Sequence, residues 1–230
     1  MKFRVIVSDP PWGGWNDKLK MSTVKRGADS NYKTLTIEDI KKIPVEAVAD
    51  DDSILCLWVP SSLLQDGMDV MKAWGFRQTQ TWVWVKTKKD PFETFKKSLI
   101  EIVYKIIVGD ITSITYRETI KNLVNNFDIH NILNFGMGRL GRNVHEICLV
   151  GVKGSPYKFL KNKSQRTVFF SKNEKHSKKP EILQDRIELM FPGEPYLEMF
   201  GRRERENWVV VGNEIDGEDI RDSMNRIEYK

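Results

Sequence analysis

An acid, two prolines and a tryptophan, Asp9-Pro10-Pro11-Trp12, close the β-branched run Val5-Ile6-Val7-Ser8. Proline fixes φ and offers no backbone N–H, so Asp9 and the Pro10 carbonyl are expected to project as a preset pair of acceptors beside a flat aromatic wall. Such a pair suits a ligand that carries an NH2 group. A buried strand opening into a rigid loop is also where α/β folds keep their chemistry. His130, His145 and His176 are scattered without ligand spacing, and no metal site is expected. The glycine-rich loop at 136–143 precedes a strand instead of following one, which excludes a dinucleotide fingerprint.

The elements that must hold this loop follow in order. Residues 13–33 are polar and punctuated by Gly, Asn and Asp, which reads as a flexible active-site segment. Thr36 with Asp39 three residues on predicts a capped helix start, with Ile37, Ile40 and Ile43 facing the core. Residues 53–59 read as a buried strand, 61–74 as an amphipathic helix ended by Gly75, and 79–85 as a third strand. Strand, helix and strand with short connections predict a doubly wound, mostly parallel sheet in a single domain. From 91 to 133 the texture changes to two helical repeats, read as an insert that packs on the sheet, forms a dimer face or recognises the target. Residues 144–152 return to strand character. Pro180 is expected at N1 of a helix running to about 191, followed by strands at 196–200 and 208–211 and a short acidic helix after Gly217.

The 230 residues carry 37 Lys and Arg against 32 acids, a net charge of +5 that permits a polyanionic partner. Its distribution says more. Between 153 and 179 there are nine basic residues and a single acid, Glu174, interleaved with Tyr157, Phe159, Phe169 and Phe170. Aromatics among cations can stack on bases while the cations meet phosphates, and a solvated loop over the core is the alternative. Cys56 and Cys148 both sit inside apolar runs, as buried strand residues do, which fits a reducing compartment. With no secretory h-region and no apolar span near the ~20 residues of a membrane helix, a cytoplasmic protein is expected.

The ordered series Asp9-Pro10-Pro11-Trp12, Tyr32-Lys33-Thr34-Leu35, Leu57-Trp58-Val59, Trp84-Val85-Lys86-Thr87, then Asn143 through Gly154, Lys179-Pro180-Glu181, Glu198-Met199-Phe200-Gly201-Arg202 and Asn207 through Asn213 resembles the DPPW adenine methyltransferases. These are the relatives of the catalytic subunit of the eukaryotic messenger-RNA adenosine methyltransferase, with many members in bacteria and phages. The likeness covers most of the chain outside roughly 91–133. It implies a Rossmann-like fold using S-adenosylmethionine, in the permuted order where the catalytic loop precedes the cofactor strand. Asp9, Pro10, Pro11 and Trp12 are then the catalytic loop, with Trp12 as base platform. Tyr32, Lys86, Arg142, Asn143 and Glu146 are implied on the substrate side. Ser8, Asp9, Lys179, Glu198, Phe200, Arg202, Arg205, Asn213 and Glu214 are implied around the cofactor, with Lys178 a rival to Lys179. An acid at a strand end accepts ribose hydroxyls well, which supports Glu214. The upstream acidic segment that cups the cofactor adenine in the eukaryotic relatives is expected to have no counterpart here.

The resemblance therefore implies methyl transfer to the amino nitrogen of adenine, with DNA as substrate in a bacterial or phage-type member. The helical insert, outside the family pattern, offers a face for a homodimer. An RNA adenosine methyltransferase is the second reading. A non-catalytic nucleic-acid-binding subunit is the third, opposed by the intact Asp9.

Overall fold

The run Phe3–Ser8 forms β1, the strand from which the rest of the sheet is built outward. A computed structural model describes residues 1–13, 34–88, 93–109, 113–125, 129–136, 140–173 and 178–228. Its sheet has seven strands: β1, β2 (Ala49–Val59), β3 (Arg77–Thr87), β4 (His145–Lys153), β5 (Val168–Lys172), β6 (Tyr196–Met199) and β7 (Trp208–Val211), in the order β5-β3-β4-β2-β1-β6-β7. β1 pairs in parallel with both β2 and β6, and β6 in parallel with β7. The chain leaves β1 to build one wing through β2 and returns to build the other through β6, so strand order reverses between β1 and β6. Ligands of open α/β sheets bind at the carboxyl ends of the strands at such a reversal.

Helices cover both faces. Alternation puts Ile6, Leu55, Leu57, Leu197, Met199 and Val211 on one face. That face packs on α1 (Ile37–Lys41), α2 (Val45–Val48), α3 (Leu64–Ala73) and α7 (Ile220–Glu228) through Ile40, Val45, Val70, Met71 and Met224. The opposite face carries Val5, Val7, Tyr196 and Trp208 and receives α6 (Ile182–Met190), whose Ile187 is buried. The doubly wound α/β architecture and the α1 cap are as expected, with Thr36 Oγ1 accepting the Asp39 N–H at 3.1 Å. Cys56 and Cys148 are buried thiols on β2 and β4.

β4 runs antiparallel to β2, beside the parallel pairs of β1 with β2 and β6 and of β6 with β7. Two local expectations are corrected. Part of the basic segment is β5, where Phe169 is buried while Val168 and Phe170 are exposed; one inward side chain among cations leaves little strand signal. Pro180 lies outside α6, whose first helical residue is Ile182.

The chain divides into two compact units: Met1–Val83 with Glu146–Thr167 and Gln184–Lys230, and Trp84–His145 with Val168–Leu183. The second contains α4 (Glu93–Ile107) and α5 (Ser113–Asn125), which pack on one another. Ile102 is the buried side of α4, and Ile100, Val103, Tyr104 and Ile107 are exposed. No described helix is long and apolar enough to cross a membrane.

Candidate active site

At the carboxyl end of β1, Val7 stands in register with Glu198 and Ser8 with Met199. Successive strand side chains alternate, so Asp9 falls on the face of Val7 and Glu198, and Ser8 on the opposite one. The Asp9 N–H reaches the Met199 carbonyl at 3.4 Å, continuing the β1–β6 pairing one residue past the strand. Two carboxyl-bearing residues, Glu198 on β6 and Asp9 just past β1, thus fall on one face at the reversal of strand order. Ser8 is corrected from the expected cofactor contact: its side chain is fully buried on the core side, and Oγ has no partner among the described residues.

The loop beyond Asp9 is held by its own backbone. The Trp12 N–H donates to the Pro10 carbonyl at 2.9 Å, closing a tight turn over Pro11. One acceptor site of the expected Pro10 pair is therefore already engaged, leaving its second lone pair for a ligand. Pro11 accepts the Leu35 N–H at 2.8 Å, and the Gly13 N–H donates to the Leu35 carbonyl at 2.9 Å. A Cβ at Gly13 would stand 2.8 Å from that carbonyl, so the position takes only glycine without a shift. Trp12 departs from its expected role. It is 4% exposed within the core cluster, and its indole N–H donates to the Trp58 carbonyl at 2.9 Å. The ring is a peg that fixes the loop to β2, because β2 brings both cover and an acceptor to it. Tyr32 and the polar segment 14–33 lie outside the described residues.

Glu198 is a perturbed acid of this corner. Burial pushes its carboxyl above the usual carboxylate range and the Asp9 charge pushes the same way, while a hydrogen bond from Gln184 and the cations Arg203 and Arg205 oppose the rise. Glu198 Oε2 and Gln184 Oε1 are buried acceptors with no partner among the described residues. Neither Gln184 nor Arg203 was expected here. A signal for Gln184 exists in the sequence: it falls in the inward stripe of α6 beside Ile187, where a polar residue needs a reason.

After β6 the chain turns sharply. Phe200 takes φ 61, a left-handed conformation costly for a non-glycine residue, and is packed against the core. Next to it Gly201 donates to the Val211 carbonyl at 3.0 Å, where any Cβ would run into Val210. This close approach brings the loop after β6 to the one after β7. There Arg202 Nε stands 3.4 Å from Glu214 Oε1, with Asn213 and Glu214 exposed. Arg205, implied around the cofactor, is clamped by α6. Its guanidinium binds Glu188 at 2.8 Å and Asp185 at 2.7 Å, three residues apart on α6, and lies 6.0 Å from the Trp208 ring centre. The Glu188 carboxyl also accepts the Trp208 indole N–H at 2.6 Å and is held below the usual carboxylate range, chiefly by Arg205.

The remaining expected residues are distributed between the units. Glu146 belongs to the first, on β4. In the second, Lys179 and Lys178 line a cleft of about 260 Å³ with Ser171, Lys172, Pro180 and Glu181. Lys86 Nζ lies 5.3 Å from the Trp84 ring centre. The Arg142 guanidinium lies 5.4 Å from the ring of Phe135, and Gly136 and Asn143 exchange backbone hydrogen bonds at 2.7 and 3.3 Å.

A doubly wound sheet with Asp9 and Glu198 at its switch point makes a Rossmann-like α/β fold. The chain belongs to the MT-A70 family, whose profile matches residues 3–104 and 114–214. The family pattern thus enters the α4–α5 hairpin from both sides. The zebrafish (Danio rerio) N(6)-adenosine-methyltransferase subunit METTL3 is 26% identical over 218 residues, covering 94% of this chain and 28% of that protein. The human (Homo sapiens) N(6)-adenosine-methyltransferase catalytic subunit METTL3 is also 26% identical, over 94% of this chain and 29% of its own length. The Arabidopsis thaliana non-catalytic subunit MTB is 38% identical over 89 residues, 38% of this chain and 11% of that protein. The chain spans less than a third of the length of these relatives.

Proposed function

We propose that this chain transfers a methyl group from S-adenosylmethionine to the exocyclic amino nitrogen, N6, of adenine in DNA. The observation that carries the reading is the pair Asp9 and Glu198 at the switch point, with a buried carboxylate oxygen that has no partner among the described residues. An acidic corner with an unmet acceptor suits a cation that bears N–H groups, and S-adenosylmethionine is such a cation. When bound, it supplies a methyl group on a positively charged sulfur. Glu198, Arg202, Asn213 and Glu214 would hold it from the ends of β6 and β7, and the resemblance assigns Lys179 to its carboxylate.

The chain's own part begins with Asp9. An adenine amino group is a weak nucleophile because its lone pair is delocalised into the ring. Hydrogen bonds from that NH2 group to Asp9 and to the second lone pair of the Pro10 carbonyl favour a pyramidal nitrogen and orient it. The amino group loses one proton as it gains the methyl, and the Asp9 carboxylate stands where that proton is held. Trp12, buried under its bond to Trp58, keeps the acceptors in place. The resemblance assigns Tyr32, Lys86, Arg142, Asn143 and Glu146 to the substrate.

Exposed Tyr157, Lys161, Lys163, Arg166 and Phe170 support a nucleic-acid polymer as substrate. In the DNA reading the target base is flipped from the duplex before its amino group reaches the cofactor. The names of the curated relatives specify adenosine, the ribonucleoside, which makes RNA the second reading. The exposed stripe Ile100, Tyr104 and Ile107 of α4, at 67%, 64% and 77%, supports a homodimer through the hairpin. Buried thiols at Cys56 and Cys148 suit the cytoplasm of a bacterial or phage-infected cell. Labelled S-adenosylmethionine with separate DNA and RNA pools tests the substrate. Label in adenine of DNA is expected; label confined to RNA overturns the DNA reading, and label in neither overturns the activity.

A further inference from the structure

Gln184 and Glu198 already share a side-chain hydrogen bond, yet each keeps one buried oxygen, Oε1 and Oε2, with no partner among the described residues. Both orphan atoms are acceptors. Gln184 is 2% exposed, so solvent cannot make up the shortfall. An ionised carboxylate has only acceptors to offer, whereas a carboxylic acid also carries one O–H donor. A single proton on Glu198 therefore puts a donor where none stands, and lets amide and acid each donate and accept.

The surroundings of Glu198 point the same way. Val7 on β1 and Val210 on β7 flank it in register and contribute no polar group. Asp9, two residues beyond Val7 on the same face, adds a negative charge, and neighbouring carboxylates resist both being ionised. Arg203 and Arg205 act against this from the turn after β6. Arg205, however, is already matched by Glu188 and Asp185 of α6.

We propose that Gln184 and Glu198 hold an exchangeable proton in the ligand-free protein, and that the entering cofactor cation displaces it. Gln184 is then a positioning residue that orients the Glu198 carboxyl. The inference rests on the reading above that this corner takes S-adenosylmethionine. The balance is simple: Glu198 passes from acid to carboxylate, its proton leaves to the buffer, and an N–H of the cofactor's ammonium group takes over the vacated acceptor. No other bond forms or breaks.

Titration calorimetry of the full chain with S-adenosylmethionine, in buffers of different ionisation enthalpy, reads the proton directly. Just above the ordinary glutamate value, where a free carboxyl is ionised, the expected result is proton release on cofactor binding that fades as the pH is raised. E198Q, which keeps the shape of the acid, is expected to bind with no release. Q184M removes both the N–H that donates to the Glu198 carboxyl and the oxygen that accepts from its protonated form, and is expected to shift the pH at which release fades; a release profile unchanged in Q184M overturns its positioning role. Saturable heat that is independent of buffer throughout this pH range overturns the proton exchange and leaves the cofactor reading intact. Release that persists in E198Q overturns the assignment to Glu198. Absence of saturable heat at every pH overturns the cofactor reading itself.

Discussion

Trp12 shows how a residue can be singled out correctly and given a different task by its surroundings. Two prolines and an acid before it mark a loop with chemistry, but whether the indole is wall or peg depends on what covers it. Trp58 on β2, 46 residues later, supplies both cover and acceptor. Trp12→Phe should therefore lower stability by about 1–3 kcal/mol, the cost of a buried carbonyl left without its donor, while the KM for nucleic acid stays unchanged. Urea melts with steady-state kinetics check this; a raised KM at unchanged stability would restore the base platform. Glu198 gives a second prediction. Burial raises its carboxyl above the ordinary value, so between the two values the folded chain holds more protons than the unfolded one, and stability falls as pH rises. E198Q should melt higher than the wild type above that window, and the gap should close below the ordinary glutamate value. Gln184 was legible only as an oddity, a polar residue in an inward stripe, because its reason lies on another element.

Among the elements, those with a strong period or a cap were readable: β1, the Thr36-capped α1, α3 and the two helices of the hairpin all fall where residue spacing puts them. β5 was hidden because only Phe169 turns inward among cations. The reversed direction of β4 could not be read, since alternation is the same in either direction. Arg205 illustrates the third kind of loss. Its turn looks like a run of solvated charges, yet Asp185 and Glu188 on α6 capture it. This clamp ties α6 to the loop after β6 and so positions Glu198. Because Arg205 holds the Glu188 carboxyl below its ordinary value, the stability it adds is present above the ordinary carboxylate range and lost as pH falls through the folded value. Melting temperature against pH should show E188Q less stable than wild type near neutrality, with the difference vanishing in acid.

At the scale of the molecule, the family and fold were written in motif order, and the site was legible as far as its strand ends. What stayed hidden was how charges pair across elements. The basic segment is the feature most exposed to test. Replacing Lys161, Lys163 and Arg166 together by alanine should weaken nucleic-acid binding and reduce the slope of log affinity against log salt by about 2–3, because each phosphate contact releases counterions. Binding isotherms across a salt series measure it, and an unchanged slope would remove that segment from the interface. The central claim is that Asp9 carries methyl transfer to an adenine amino group. Its most direct test is the rate of label transfer from S-adenosylmethionine to adenine by wild type and Asp9→Ala, both shown to be folded by thermal melts. A loss of about 100-fold or more in the variant, with its melt unchanged, is the predicted result; transfer undiminished in Asp9→Ala would contradict the account.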